Sequence, residues 1–135
     1  MTQKDIELLL VDLCSRLPYG VKVAIEYSEG KYTHIYDLRE IDNDTTSELR
    51  QQVTIWNYGI YSSMISYPLI NCRPYLRPMS SMTEEENKKL DEIWLKHTIK
   101  EGADYLNSIH VDYCGLIPKG LAIEAPDGMY GKEKQ

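Results

Sequence analysis

Two arginines and two serines stand just ahead of a helix start in the segment RPYLRPMSSMTEEE: Arg73, Arg77, Ser80 and Ser81. These residue types suit an anion. Arginine offers a planar fork of donors that matches a carboxylate or a phosphate. The free N–H groups and the dipole of a helix N-terminus favour negative charge in the same place. The steps Arg73-Pro74 and Arg77-Pro78 force the backbone extended at both arginines. Thr83 and Glu86 have the spacing of a capping box, in which the threonine hydroxyl accepts from the Glu86 N–H and the glutamate reaches back. Against the anion, Glu84, Glu85 and Glu86 already place negative charge on that first turn. The segment therefore reads either as a phosphate or carboxylate site or as a capped structural corner.

A second constellation is His110-Val111-Asp112-Tyr113-Cys114. In an extended chain the period of two puts His110, Asp112 and Cys114 on one face. A thiol and an imidazole oriented by a carboxylate form the layout of a nucleophile, and the same three could hold a metal. Catalytic groups usually come from distant segments, however, and a fourth zinc ligand would have to come from elsewhere. Asp112 capping backbone atoms at a helix-to-loop junction explains the aspartate equally well. A third set is aromatic: Trp56, Tyr58, Tyr61, Tyr67 and Tyr75. Aromatic faces stack on nucleobases, so Trp56 or Tyr75 beside Arg73 and Arg77 would make a base-plus-phosphate pocket. The same residues could simply pack a strand. No Gly-rich phosphate loop, GxSxG or HExxH occurs. No catalytic residue or metal ligand is assigned, no cofactor is expected, and the expectation is a protein that is not an enzyme.

Composition narrows the partners. The net charge of −6 argues against extended nucleic acid, which needs a basic face, but leaves room for a small basic pocket. Eleven tyrosines and no phenylalanine suit half-buried sites, a wet core edge or a tyrosine-lined pocket or interface. No apolar run is long enough for a membrane span, and the start MTQKDIELLL carries charge where a signal peptide would be apolar. Three widely spaced cysteines, Cys14, Cys72 and Cys114, form neither a disulfide framework nor a zinc spacing, so the expected location is a reducing cytoplasm.

These groups must be positioned by an α+β fold. Ile6, Leu9, Leu10, Leu13 and Leu17 form one apolar stripe, predicting a helix over 3–16 with Thr2 as N-cap and Pro18 and Gly20 as its stop. Val21, Val23, Ile25 and Tyr27 alternate with Lys22, Ala24, Glu26 and Ser28 as a half-buried strand. A turn at Ser28-Glu29-Gly30-Lys31 leads into a returning strand from Tyr32 to Leu38. Asp42–Gln52 reads as a polar loop with a helical turn at Thr46–Gln51. Val53–Tyr61 reads as a third strand with a bulge at Gly59. Residues 62–78 read as extended and irregular, because Pro68, Pro74 and Pro78 exclude a central strand or helix. From Thr83 a long helix is predicted to about Ser108, with Leu90, Ile93, Trp94, His97, Leu106 and Ile109 on its buried side and Gly102 bending or splitting it. The architecture expected is one α+β domain over 1–125: an N-terminal helix, a small antiparallel sheet with a hairpin, and a long C-terminal helical segment packed on the sheet. Residues 126–135 read as a flexible tail.

RPYLRPMSSMTEEE and the later HVDYCGLIPKGLAIEAP carry a resemblance. The chain resembles a family of small proteins of no assigned activity, encoded in gut Bacteroidota genomes, their mobile elements and their phages. Those proteins pair a PYL-P-SSMTEEE-like segment with an H-x-DYRGLI-x-KGLA-like one. The matching positions are Pro74, Tyr75, Leu76, Pro78, Ser80, Ser81, Met82, Thr83 and Glu84. They continue at His110, Asp112, Tyr113, Gly115, Leu116, Ile117, Lys119, Gly120, Leu121 and Ala122. The similarity covers roughly 68–130, and LCSRLPYGVKV near the start is also similar. Cys114 departs from the pattern, where arginine is usual, which weakens any Cys–His chemistry. The resemblance implies a shared fold and a setting among phage or mobile-element genes. Small accessory proteins there often counter host defence, some by sequestering cyclic or ADP-ribose-type nucleotide signals. That implies non-catalytic binding of a small anionic ligand by Arg73, Arg77, Ser80, Ser81, Tyr75 and Trp56. The alternative is a module that binds a host protein through a tyrosine-rich surface, and a small hydrolase or thiol enzyme is third. A homo-oligomer is compatible with the sequence, with any pocket lying within one chain or between two.

Overall fold

The first apolar stripe folds as helix α1, Gln3–Arg16, in the computed structural model, which describes residues 2–28, 31–32, 35–43, 51–57, 63–96 and 98–130. At residues 43, 51, 56, 57 and 63 it describes the backbone alone. Thr2 caps the helix. Its hydroxyl accepts from the Asp5 N–H at 3.1 Å, and the Asp5 carboxylate accepts from the Thr2 N–H at 3.1 Å. Pro18 sits in a 3₁₀ turn at Leu17–Tyr19, and Gly20 then takes a left-handed φ of 72°. Leu9 and Leu13 are fully buried, each side chain stabilising the fold by roughly 1.5–3 kcal/mol. Ile6, Leu10 and Leu17, the rest of the predicted stripe, are only half-buried. Their place on the inner face is taken by Asp12 and Arg16, an ion pair at 3.0 Å with side chains 2% and 0% exposed.

The hairpin predicted next is present. β1 (Lys22–Ser28) pairs antiparallel with the short β2 (Lys31–Tyr32) and with β3 (Tyr36–Asn43). Val21, Val23 and Ile25 are buried as the alternation requires, but Tyr27 is 66% exposed and Ala24 is buried on the other face. The reason is that β1 is an interior strand, with β3 on one side and β6 (Cys72–Leu76) on the other. β4 (Gln51–Asn57) and β5 (Ser63–Pro68) complete the order β5-β4-β3-β1-β6, all antiparallel.

Three sequence expectations are corrected here. The polar stretch 42–52 is not all loop, since Asp42 pairs with Gln52 and Asn43 with Gln51, extending β3 and β4. The helical turn predicted at 46–51 falls on strand at Gln51 and otherwise lies outside the described residues, as do Glu29, Gly30, Tyr58, the bulge at Gly59, Tyr61 and His97. Residues 63–76 are not irregular but form two strands joined by a 3₁₀ turn at Leu69–Asn71. Pro68 merely ends β5, and Pro74 is the last residue of β6 to pair with β1, opposite Val23. At the end of a ladder the missing N–H costs little.

The chain divides into two compact units, Met1–Pro74 and Tyr75–Gln135, where the sequence suggests a single domain over 1–125. In the second, Tyr75 and Leu76 pair in parallel with β7 (Ile123–Glu124). The long helix is two helices, α2 (Glu84–Lys96) and α3 (Ile99–Ser108). The break falls at Thr98, which caps α3 by accepting from the Glu101 N–H at 3.2 Å. Gly102 lies inside α3, which continues through it. A Cβ there would come within 2.6 Å of the Trp94 ring, so the glycine makes room for the tryptophan. Met82, Leu90, Leu106 and Val111 form one core cluster of this unit, with Tyr105 and Ile109 against them. The fold is thus α+β, with an N-terminal helix, a mostly antiparallel sheet with a hairpin, and C-terminal helices. No described helix is long and apolar enough to cross a membrane.

Candidate functional site

Arg77 leaves β6 with both its backbone groups engaged. Its N–H donates to His110 O and its carbonyl accepts from the Asp112 N–H, each at 2.8 Å. Pro78 cannot continue a ladder, and a 3₁₀ turn at Met79–Ser81 redirects the chain into α2. That turn brings Ser81 and Glu86 back onto the Arg77 guanidinium. Nε donates to Ser81 Oγ at 3.2 Å. Nη1 donates to Glu86 Oε2 at 2.8 Å and to Ile109 O at 3.3 Å. Nη2 donates to Glu86 Oε1 at 2.7 Å and to Ser81 O at 3.0 Å. Every one of the five donors of an arginine is in use, on a residue only 3% exposed.

The capping box predicted at this helix start is present inside the same network. Glu86 N–H donates to Thr83 Oγ at 3.1 Å, and Thr83 N–H donates to Glu86 Oε1 at 2.9 Å. The hydrogen bond from Arg77 holds the Glu86 carboxyl below its ordinary range, with burial opposing and Thr83 assisting. The Ser81 hydroxyl proton is committed to Pro78 O at 2.7 Å. Arg77 and Ser81 therefore form the structural corner, and no donor of the Arg77 side chain is left for an anion.

Arg77, Pro78, Ser80 and Ser81 line one wall of a cleft of about 390 Å³, and Glu124, Ala125, Pro126 and Asp127 line the other. Glu86 already balances the arginine, so the carboxylates of Glu124 and Asp127 leave the cleft negative. Ser80 is exposed at its rim. A phosphate would meet repulsion there, not a cradle.

Arg73, in the first unit, is bonded differently. It lies directly across from Ala24, on the opposite face from Val23, Ile25, Cys72 and Pro74. The residue is 8% exposed. Its Nη1 donates to Ile70 O at 2.6 Å and Cys72 O at 3.0 Å, while its buried Nε has no acceptor. Among the described residues no carboxylate pairs with it. Beside it the buried Cys72 thiol is pushed up to about 12 by desolvation, with the Arg73 charge opposing.

The described aromatic residues fall in both units. The Trp56 backbone pairs with Asp37 and Met64 in the first unit, and Tyr67 is half-buried on β5. Tyr75, half-buried, belongs to the second unit, where burial raises its phenol pKa and its carbonyl accepts from Tyr130 Oη at 2.7 Å. In the His110–Asp112–Cys114 set the carboxylate serves the backbone. The Asp112 carboxylate accepts from the Leu116 and Ile117 N–H groups at 2.8 and 2.9 Å, so it holds a turn. His110 is 3% exposed, adopts a left-handed φ of 59° and stacks on Tyr130 with ring centroids 4.0 Å apart. Cys114 is exposed.

Two features escape the sequence reading. Tyr130 falls in the predicted tail, yet it is bonded to Tyr75 and stacked on His110, so residues 126–130 are held in place. Nothing in its sequence neighbourhood signals this. The Asp12–Arg16 pair does carry a signal: opposite charges at i, i+4 in register with Leu9 and Leu13. No protein-family model, no curated protein and no solved structure matches the chain.

Proposed function

We propose that this protein is a non-catalytic binder of a small anionic ligand of the nucleotide class, and that Arg73 is the group that holds its charge. One observation carries the reading. A guanidinium nine-tenths buried donates only to two backbone carbonyls and keeps an Nε without an acceptor. A buried charge without a counter-charge costs several kcal/mol, on the order of that released when an anion completes it. Arg77, Ser81 and the α2 N-terminus drop out of the site. The resemblance to phage and mobile-element proteins supports sequestration of a signalling nucleotide, hence a role against host defence in the bacterial cytoplasm.

Calorimetry with cyclic dinucleotides, cyclic ADP-ribose forms and inorganic phosphate tests this. Binding at about micromolar strength or tighter is expected, lost in Arg73→Met, with the nucleotide recovered intact after denaturation. Absence of heat across the whole panel would remove the reading. Cleavage of a bound nucleotide would replace it with an enzyme.

A second reading has its own observation. Leu95 and Ile99, at the junction of α2 and α3, are 84% and 79% exposed, and Trp94 beside them is 43% exposed. Apolar side chains grouped in this way mark interaction surfaces. They offer a surface on which a host protein could dock. Capture of a single host protein, lost in Leu95→Asp and retained in Arg73→Met, would favour this reading over the first.

A further inference from the structure

β5 is the last strand of its sheet, with β4 as its one strand neighbour among the described residues. Among the described residues, no strand pairs with the other row of its backbone N–H and C=O groups. Such edges are ordinarily guarded by lysine, by a proline within the strand, by a bulge or by a covering element. β5 has none of the first three. Its sequence is SMISYP, with the proline at its end. It runs in unbroken register against β4 from Gln52↔Pro68 to Asn57↔Ser63. The neutrality also extends beyond the strand. From Gln51 to Cys72, 22 consecutive positions (72 − 51 + 1), there is no Asp, Glu, Lys, Arg or His, in a chain that is 27% charged with a net charge of −6.

We propose that β5 is a homodimerisation edge: two copies pair their β5 strands antiparallel about a two-fold axis, continuing one sheet across both. This is independent of the ligand reading. A two-fold pairing of one strand with itself is self-complementary by symmetry. Centred on Ile65, it sets Ile65 opposite its own copy, Met64 opposite Ser66 and Ser63 opposite Tyr67, with no like charges facing. Two molecules that each carry −6 repel one another over most of their surface, and a neutral edge is where they approach at least electrostatic cost. A partner chosen by charge would need a matching charge on this strand, and it has none. Met64 is 47% exposed, and Ser66 is exposed although its hydroxyl bonds Thr54 Oγ1 at 2.9 Å, so both present surface to a neighbour.

Sedimentation velocity of the full chain, from about 1 to about 100 µM, tests the proposal, with a concentration-dependent monomer–dimer equilibrium expected. Met64→Lys/Ser66→Lys places cations opposite one another twice and should weaken the dimer at least about tenfold. Met64→Lys/Ser66→Glu places opposite charges in the same register and should retain it. Both sites are exposed, and far-UV circular dichroism of each variant confirms that the fold is kept. A wild-type chain that stays monomeric throughout overturns the proposal and leaves the edge to a different protein. A dimer unaffected by the double lysine variant, or growth beyond a dimer, overturns it as well.

Discussion

Arg77 shows how little a residue's type says about its task until its acceptors are known. Its guanidinium is closed by Ser81, Glu86 and Ile109. Removing one partner of a buried ion pair leaves the other uncompensated. Arg77→Met is therefore expected to lower the unfolding free energy in urea by about 3 kcal/mol, and a loss below about 0.5 kcal/mol would show that the clamp is not stabilising. The pH dependence follows from the same pair. The folded Glu86 carboxyl titrates below its ordinary value of 4.5, so its contribution is fully present above that value. It is lost as the pH falls through the lower, folded value. Urea midpoints measured from pH 7 downward should drop below about pH 4.5, and that drop should be shallower in Glu86→Gln. The capping box of Thr83 and Glu86 is legible in the sequence because it closes over three residues. The saturation of Arg77 is not, because one acceptor lies 32 residues away and nothing local announces it.

Among the elements, those whose partners are close in sequence were the ones that could be read. α1 and its Thr2 cap, and the hairpin of β1 with β2 and β3, follow from periodicity and turn residues alone. β6 could not be read, because a strand containing Pro74 is acceptable only where its ladder with β1 ends, and that depends on the sheet. The break between α2 and α3 was legible as a break and misplaced in position. Gly102 is the residue that composition suggests, while Thr98 is the one that caps. The contact between Gly102 and Trp94 supplies a test. Gly102→Ala gains up to about 1 kcal/mol of helix propensity, but its methyl would fall within 2.6 Å of the indole. Trp94 is 43% exposed and can swing outward. The expected result is a large shift of the Trp94 indole N–H resonance and a net stability change within about 1 kcal/mol. An unmoved Trp94 resonance would contradict the contact.

For the molecule as a whole, the three thiols report on opening. Cys14 and Cys114 are exposed and Cys72 is buried, its pKa pushed up to about 12. Because the thiolate is the reacting form, a disulfide reagent should titrate two thiols in the native protein and the third only in denaturant. Prompt reaction of all three would mean that the strand carrying Cys72 and Arg73 opens readily, which the proposed anion site could not tolerate. The ties of Arg77 also bear on how the chain is made. A ribosome adds about 5–20 residues per second, so Arg77 emerges on the order of seconds before Ile109, His110 and Asp112, which complete its bonds. Glu86, nine positions on, can neutralise it during that interval. The glutamate that caps α2 in the finished protein thus doubles as the escort of an unfinished one, keeping a bare cation from finding a wrong partner until the C-terminal half arrives.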